Sequence, residues 1–398
     1  MSTQGAWSEY ALEDLIVDIQ PGFARRPSSE PANVPQLRTN NISPEGRLDL
    51  TKFKFVPASK DEIKKYSLVK GDILFNNTNS DIWVGKTAFV DRDLEALFSN
   101  HLTRLRVDTS KVNPHFLAMH LQKLQKDGFF RSISTRWVNQ TAVNTNALLE
   151  LTVKIPSLDH QRRIVAILDR ADTLKRKREQ ANHMTDEFLK AVFLKMFGRG
   201  SPENRIADVA EFVSSGATPL GGEKTYLPEG ITFIRSQNVL MNKLQLKDAA
   251  HISEDVHKEM RRTWVKNGDV LLNITGASLG RVAVYAGEDD KANVNQHVCV
   301  IRLNRSKAVP EYVSHYLSMH DAQNEIWTIQ AGASRQALNF EQVKSLKIYL
   351  APIHEQRTFA SIVDKINSLK ERQHQSTQEI DELFSSLMHK AFRGELNA

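Results

Sequence analysis

Two long stretches of the chain carry apolar residues at alternating spacings of three and four positions, and neither is interrupted by Pro or Gly. This spacing puts the apolar side chains on one narrow stripe of an α-helix, and such a stripe is buried against another helix. The simplest partner for each stretch is the other one. The residues predicted to form this helix–helix interface are Ile164, Ile167, Leu174 and Phe188 with Ile362, Ile366, Leu369 and Leu383.

Each helix would be on the order of 50 Å long, which is longer than a small domain is wide. We therefore interpret the pair as a spacer. Each stripe has a polar residue near its middle, Arg178 in the first stretch and Gln373 in the second. A polar residue in such a stripe helps to fix the register of the two helices at some cost in stability.

The remaining sequence is patterned in short strand-like segments bounded by Gly, Asn and Asp. GDILF, KTAFV and TRLRV occur in the first half, and GDVLL, RVAVYA and CVIRL occur in the second half. Helical segments that begin with Pro114 and Pro310 follow, and Pro suits a first helical turn. The pattern predicts mixed α and β modules of the α+β class, without the strand–helix alternation of a doubly wound sheet.

These segments form an internal repeat that covers nearly the whole chain. Gly71-Asp72 corresponds to Gly268-Asp269, and Gln161 corresponds to Gln356. The halves agree most along the two helices and differ between the other matched positions. The predicted organisation is a first module (residues 1–157), a central helix (158–200), a second module (201–352) and a C-terminal helix (353–398).

Composition narrows the class of protein. The chain has 398 residues, a formal net charge of +6 and a single cysteine, Cys299, which lies in an apolar run. The excess of positive charge favours a polyanionic partner, and one cysteine excludes a disulfide framework. Because no signal peptide or long apolar run is evident, we expect a soluble cytoplasmic protein without a membrane partner.

The usual catalytic signatures are missing, since GxGxxG, GxxxxGK[ST] and HExxH do not occur. Asn113-Pro114-His115-Phe116 resembles a methyltransferase motif, but the second half of the chain does not repeat its Asn, so a helix N-terminus is favoured. Asp49, Glu62 and Lys64 fit a nuclease spacing that is equally expected by chance. The histidines form no cluster typical of metal ligands, so we expect no catalytic residue and no metal site.

Polar, amide-rich loops remain as candidates for nucleic-acid binding. Asn and Gln bond bidentately to adenine, Arg and Lys to guanine, and basic groups also contact phosphates. The predicted DNA-binding residues are Arg38, Asn40, Asn77, Asn79, Lys86, Arg136, Gln140, Arg235, Gln237, Asn238, Ser278, Arg281 and Arg335. Turn residues that satisfy their own backbone are the alternative for any single Asn. We expect the residues that both halves share, such as Asn76 and Asn273, to be structural, and those that differ to read sequence.

At the start of each long helix, Leu158-Asp-His-Gln161-Arg-Arg-Ile164 and Ile353-His-Glu-Gln356-Arg357 follow a proline-bearing strand end. This boundary, together with the two half-repeats and the segment GASRQALN (332–339), resembles the specificity (S) subunits of type I restriction–modification systems. The first half's TRWVNQTAVN lacks the Gly and Ser of that segment, so its recognition surface is less securely placed. The resemblance covers the full chain.

The resemblance implies two target-recognition domains, held in opposite orientation about a pseudo-twofold axis by an antiparallel coiled coil of the two helices. Each domain would read one half of a bipartite asymmetric site in double-stranded DNA. Two methyltransferase (M) subunits and restriction/translocase (R) subunits would be the partners. S-adenosylmethionine, ATP and Mg would belong to those partners, and this chain would be non-catalytic.

Two other classes of function stay open from the residues alone. One is a DNA methyltransferase or nuclease with its own catalytic centre, and the other is a coiled-coil scaffold protein without a DNA role. Methyl transfer by the isolated chain would indicate the first. Failure to bind any duplex with the partner present would indicate the second.

Overall fold

The computed structural model describes residues 7–24, 33–138, 140–198, 200–330 and 337–396. The chain forms two compact units. The first unit comprises residues 1–179 and 376–398, and the second comprises residues 180–375. The two units therefore do not follow the bounds of the four predicted segments, because each of the two long helices contributes one part to each unit.

The described residues of the first module form twelve short strands and four α-helices. The strands are β1 Ser8–Ala11, β2 Ile16–Pro21, β3 Val34–Leu37, β4 Lys54–Val56, β5 Ile73–Asn76, β6 Thr78–Asn79, β7 Thr87–Phe89, β8 Leu97–Phe98, β9 Leu102–Val107, β10 Thr135–Arg136, β11 Thr141–Ala142 and β12 Thr152–Ile155. The helices are α1 Lys60–Tyr66, α2 Pro114–Lys126, α3 Phe129–Ser132 and α4 Thr145–Leu149.

A four-stranded antiparallel sheet in the order β2-β9-β5-β7 is the centre of this module. Successive side chains of a strand point to opposite faces, and both faces are buried here. Ile73 and Phe75 belong to the core that includes α2, whereas Leu74 belongs to a second core on the other face. This explains why GDILF is apolar without alternation. A smaller sheet in the order β4-β3-β8 includes the parallel pair β3–β8.

The second module follows the same plan. After the long helix α5 (Leu158–Phe197) come β13 Asn204–Arg205, α6 Ile206–Val209, β14 Ala210–Ser215, β15 Ile231–Ile234, β16 Val239–Leu240, β17 Lys243–Leu244, β18 Ala250–Ile252, α7 Glu254–Glu259, β19 Val270–Asn273, β20 Val282–Val284, β21 Ala292–Val294, β22 Val298–Leu303, α8 Pro310–Ser318, α9 His320–Gln330, α10 Phe340–Ser345, β23 Lys347–Ile348 and α11 Ile353–Phe392.

Its strand orders β14-β22-β19-β20 and β18-β15-β21 match those of the first module strand for strand. The short antiparallel pair β1–β12 is likewise matched by the pair β13–β23. The mixed α+β modules and their internal repeat, both predicted from the sequence, are thus confirmed.

Helices α5 and α11 have 40 residues each, roughly 60 Å at 1.5 Å per residue. In the first unit the early part of α5 lies along the late part of α11, where the Lys175 ammonium is 2.8 Å from the Asp381 carboxylate. In the second unit the late part of α5 lies along the early part of α11, where the Phe193 and Phe359 rings are 5.1 Å apart. The helices run in opposite directions in both units.

The predicted interface is half right. Ile164 is fully buried, and Ile362 and Ile366 pack against the core of the second unit. Ile167 is only half-buried, and Leu174, Phe188, Leu369 and Leu383 are exposed. In three turns the structure buries the residue that follows the predicted one, and these residues are Leu168, Leu189 and Val363.

A displacement of one position explains the error. Spacings of three and of four positions both place residues on one face of a helix. Where two apolar residues are adjacent, as at Phe188-Leu189, the pattern does not show which of the two is buried. Where Leu174 was predicted, the neighbouring Lys175 faces the other helix and pairs with Asp381. Gln373 is buried as the mid-stripe prediction required, and it accepts a hydrogen bond from the Thr185 hydroxyl at 3.4 Å.

A buried glutamine fixes the start of α5 to the first module. The Gln161 side chain is fully buried. Its Oε1 accepts from the Asn113 backbone N–H at 2.7 Å, and its Nε2 donates to the carbonyls of Pro156 and Lys111 at 2.8 and 3.2 Å. One side chain thus satisfies three backbone groups from the two segments that precede α2 and α5.

The second unit repeats this contact at the start of α11. Gln356 Oε1 accepts from the Val309 N–H at 2.9 Å, and Nε2 donates to the carbonyls of Ala351 and Lys307 at 2.7 and 3.5 Å. Gln356 is also fully buried. The direction in which each long helix leaves its module is therefore set by the same amide.

Gln161→Ala is expected to lower the free energy of unfolding by roughly 2–4 kcal/mol, because it leaves buried backbone groups without partners. Gln180→Ala, at an exposed position of the same helix, is the control and should change it by less than about 0.5 kcal/mol. Urea denaturation followed by circular dichroism measures both. Equal effects of the two substitutions would contradict the structural role of Gln161.

Candidate nucleic-acid interface

Four of the predicted DNA-binding residues of the first module meet at one small sheet in the order β10-β11-β6. Asn79 on β6 pairs with Thr141 on β11, and Arg136 on β10 pairs with the same Thr141. Gln140 closes the turn between β10 and β11, where its carbonyl accepts from the Trp137 N–H at 2.8 Å. Asn77 precedes β6. The sequence order alone does not place these residues together.

A neighbouring cleft contains two of the remaining three, Arg38 and Asn40, beside Lys54 and His101. Asn77 joins the cleft to the small sheet, because its backbone N–H donates to the His101 carbonyl at 3.1 Å. We call this combined area the first polar surface, formed by Arg38, Asn40, Asn77, Asn79, Arg136 and Gln140. Arg38, Asn40, Arg136 and Gln140 are exposed, and Asn77 and Asn79 are half-buried.

A short 3-10 turn holds Asn40 in place. In Thr39–Asn41, the buried Asn41 side chain accepts from the Arg38 N–H at 2.8 Å and donates to two loop carbonyls, those of Asp49 and Lys52. Asn41 thus anchors the turn from below while Asn40 faces solvent.

The second module builds the same turn at Ser236–Asn238. Asn238 accepts from the Arg235 N–H at 2.9 Å and donates to the Gln245 carbonyl at 3.0 Å. Gln237 is exposed at the position of Asn40. Asn238 itself is buried, so its predicted role in DNA contact is corrected to an anchor of the turn.

Arg235 lies beside this turn with its guanidinium 5.2 Å from the centre of the Tyr226 ring and 3.7 Å from the Glu223 carboxylate. Ser278 and Arg281 lie in the turn after β19 and are half-buried, and the Arg281 N–H donates to the Ser278 carbonyl at 3.1 Å. Arg335 lies outside the described residues, as does most of the segment 332–339.

Lys86 does not face solvent as a phosphate contact requires. It is 8% exposed, and its ammonium donates to the Thr39 carbonyl at 2.9 Å and to the Ile42 carbonyl. Burial lowers the pKa of Lys86 below that of an ordinary lysine. The prediction is corrected: Lys86 supports the turn that presents Asn40.

The residues shared by both halves are structural, as expected. Asn76 and Asn273 are fully buried at the ends of β5 and β19. Asp72 accepts from Arg106 at 2.7 Å, and Asp269 accepts from Arg302 at 2.7 Å, in equivalent ion pairs. These bonds raise the pKa of both arginines, Arg106 and Arg302. The polar loops of the two modules are therefore supported by the same set of structural residues, repeated in each module.

The doubtful catalytic motifs have other roles. Asn113 caps α2 by accepting from the N–H groups of His115 and Phe116 at 2.9 and 3.1 Å, which confirms the helix N-terminus. The Asp49 carboxylate is bonded by Thr51, and Glu62 forms the capping box of α1 with Ser59. Burial raises the pKa of Cys299 to about 12.

Among the described residues, no group of three or more His, Cys, Asp or Glu side chains could hold a metal ion. None of the helices in the described part of the chain is long and apolar enough to cross a membrane.

Sequence reasoning missed the apolar side chains next to the first polar surface. Val138 is 98% exposed, Trp137 is 61% exposed, and Ile82 is also exposed. The sequence did contain a signal for this apolar area, namely the pair Trp137-Val138 within a polar turn. Lys54 and His101 in the cleft were also missed, and for them the sequence offers no signal, because the cleft is formed by segments far apart in the chain.

The two modules share one fold, and each presents an exposed amide on a turn fixed by a buried Asn, with an arginine beside it. This arrangement is typical of a two-module protein that recognises nucleic acid. The sequence matches the family described as "Type I restriction modification DNA specificity domain" twice, over residues 6–182 and 201–382. The chain belongs to this family, and it is a DNA specificity subunit of the type I restriction–modification class, the non-catalytic component that recognises the target site.

Individual relatives agree over nearly the full length. The type I restriction enzyme EcoBI specificity subunit of Escherichia coli is 23% identical, over 100% of this chain and 88% of the relative. The crystal structure of a type I restriction-modification system S subunit from M. genitalium is 12% identical, with a TM-score of 0.59 over 98% of this chain and 97% of that one. That structural likeness shows a shared fold.

Lys86→Ala is expected to lower the free energy of unfolding by about 1–3 kcal/mol, because the buried Ile42 carbonyl and the half-buried Thr39 carbonyl lose their donor. Arg281→Ala, the equivalent position of the second module, should change it by less than about 0.5 kcal/mol, since its side chain is half-buried at the surface. Guanidinium denaturation of both variants checks this difference. A loss confined to Arg281→Ala would show that the two roles are reversed.

Proposed function

We propose that this specificity subunit recognises a bipartite asymmetric site in double-stranded DNA, one half per module, with the long helices setting the gap. The observation that carries the proposal is the pair Asn40 and Gln237. The two modules hold these exposed residues on equivalent turns anchored by equivalent buried residues, Asn41 and Asn238. Two half-sites of different sequence require modules that share one turn structure and present different side chains on it.

The chemistry of these side chains fits base reading in the major groove. Both Asn and Gln can bond bidentately to adenine, but the Gln side chain is longer by one methylene. If the turn backbone lies at the same distance from the DNA in both modules, the Gln237 amide therefore reaches further towards a base pair than the Asn40 amide. The arginines beside each turn, Arg38 and Arg235, are suited to guanine or to the phosphates that position the module.

The proposed partners are two methyltransferase subunits and, where present, restriction subunits. A solved structure that is 18% identical to this chain, with a TM-score of 0.58, describes the complex assembly of the type I R-M system. S-adenosylmethionine, ATP and Mg would be held by those partners. The chain would act in the cytoplasm, where its DNA target lies. It would bring the partners to the site that it recognises.

Exchange of residues 1–157 for the matching part of another specificity subunit should change one half of the recognised site only. The exchange keeps both long helices, so the gap should stay the same. Mapping modified adenines in a host that carries the chimaera and the methyltransferase partner measures both. Changes in both halves, or in neither, would contradict the assignment of one half-site to each module.

Gln237→Ala should weaken binding to the correct site by about 1–3 kcal/mol and leave non-specific binding nearly unchanged. Arg281→Ala, which removes the charge of a proposed phosphate contact, should weaken binding about equally on correct and scrambled duplexes and reduce the salt slope by about one unit. Both variants are titrated in complex with the methyltransferase partner at several salt concentrations.

These two variants are matched, because both residues lie on the second module. Loss of discrimination in Arg281→Ala together with full discrimination in Gln237→Ala would reverse the assigned roles. Unchanged binding by both variants would move the DNA-facing surface elsewhere on the module.

A further inference from the structure

The turn between β10 and β11 exposes apolar side chains in the first module. Val138 is 98% exposed and Trp137 is 61% exposed, and the turn is closed by the bond from the Trp137 N–H to the Gln140 carbonyl. A tryptophan is among the largest apolar groups that a surface can offer, and exposed apolar groups of this size mark interaction sites. We call the described residues of this turn, Trp137, Val138 and Gln140, the hairpin tip.

The hairpin tip is held firmly at its base. Thr141 is buried and pairs with both β10 and β6, and the Val143 N–H donates to the Asn77 carbonyl at 2.9 Å. The exposed Trp137 and Val138 therefore lie in the turn of the β10–β11 hairpin, which forms two strands of the three-stranded sheet β10-β11-β6. A two-stranded ribbon fits the major groove of B-DNA, which is roughly 12 Å wide.

Positive charge surrounds the tip. The Arg131 and Arg136 guanidiniums both pair with one carboxylate, that of Asp81, at 2.5 and 3.2 Å. Both arginines are more than half exposed, so one positive charge is left uncompensated at the rim. Ile82, which follows Asp81 in the chain, is an exposed apolar residue as well. An apolar tip with a cationic rim and amides beside it matches duplex DNA better than an apolar protein surface.

We propose that the hairpin tip enters the major groove of the half-site read by the first module, where Trp137 and Val138 pack against thymine methyl groups. The proposal rests on the proposed function and adds the base feature that this module reads. Thymine is the only base with a methyl group in the major groove, so apolar contact distinguishes A·T from G·C pairs and T from C. Arg136 and Gln140 would then contact the flanking bases or phosphates.

The test replaces thymidine by deoxyuridine, position by position, in synthetic duplexes that carry the recognised site. Deoxyuridine keeps every hydrogen-bonding group and removes only the methyl. For the complex of this chain with its methyltransferase partner, at least one substitution in the half-site of the first module should weaken binding about fourfold, the effect of one buried methyl. Substitutions in the other half-site should weaken it less than about twofold.

The variant Trp137→Ala/Val138→Ser should bind thymidine and deoxyuridine duplexes equally, and Val17→Ser, at another exposed apolar position of the same module, should discriminate like the unchanged chain. Equal discrimination by the tip variant and the unchanged chain would overturn the proposal. Failure of the tip variant to assemble with the methyltransferase in the absence of DNA would overturn it in favour of a protein-docking tip.

The outcomes separate this proposal from the proposed function. If the unchanged complex binds its site specifically but is indifferent to every methyl, or if the half-site contains no A·T pair, only the role of the tip is wrong. If the unchanged complex shows no preference for any site, the proposed function itself is wrong. Thermal melting of the tip variant, compared with Val17→Ser, shows that the module is folded in each case.

Discussion

The rest of the structure depends on a buried amide that joins each module to a long helix. Gln161 satisfies backbone groups before α2 and before α5, and Gln356 does the same before α8 and α11. A helix start buried without such partners is costly. A recognition loop can serve its purpose only if it is held at a fixed distance from the long helix. The glutamine contact stabilises the fold and also sets this distance.

Much of the fold could be predicted because its signals are local. Short apolar strands, a proline at each helix start and two uninterrupted stripes gave the modules and the helices. The predicted helix–helix interface was displaced by one position at several turns. Phe188 and Leu189 are both apolar, so the pattern does not distinguish them. At Leu174 the residue that faces the other helix is the charged neighbour Lys175, which a hydrophobicity pattern does not select. The parallel pair β3–β8 was not foreseen, since its strands lie far apart in the sequence.

The candidate site could be predicted only in part, for a different physical reason. Amide residues look alike in a sequence, whether they anchor a turn or face a base. Asn40 and Asn41 are neighbours, yet the structure buries one and exposes the other. Lys86 and Arg281 occupy equivalent positions with different burial, and only the Lys86 ammonium is seen to donate to the carbonyls of the turn that holds Asn40. Burial is decided by distant segments, and this information is not carried by any single motif.

The assignment of α11 to both units has a consequence for synthesis. The core of the first unit includes Met388 and Ala391, which are made only after the whole of residues 180–375. At ~5–20 residues per second the first module waits about 10–40 s for these partners. The second unit is contiguous in sequence and can complete its core first. The N-terminal module is thus the last of the two to become complete.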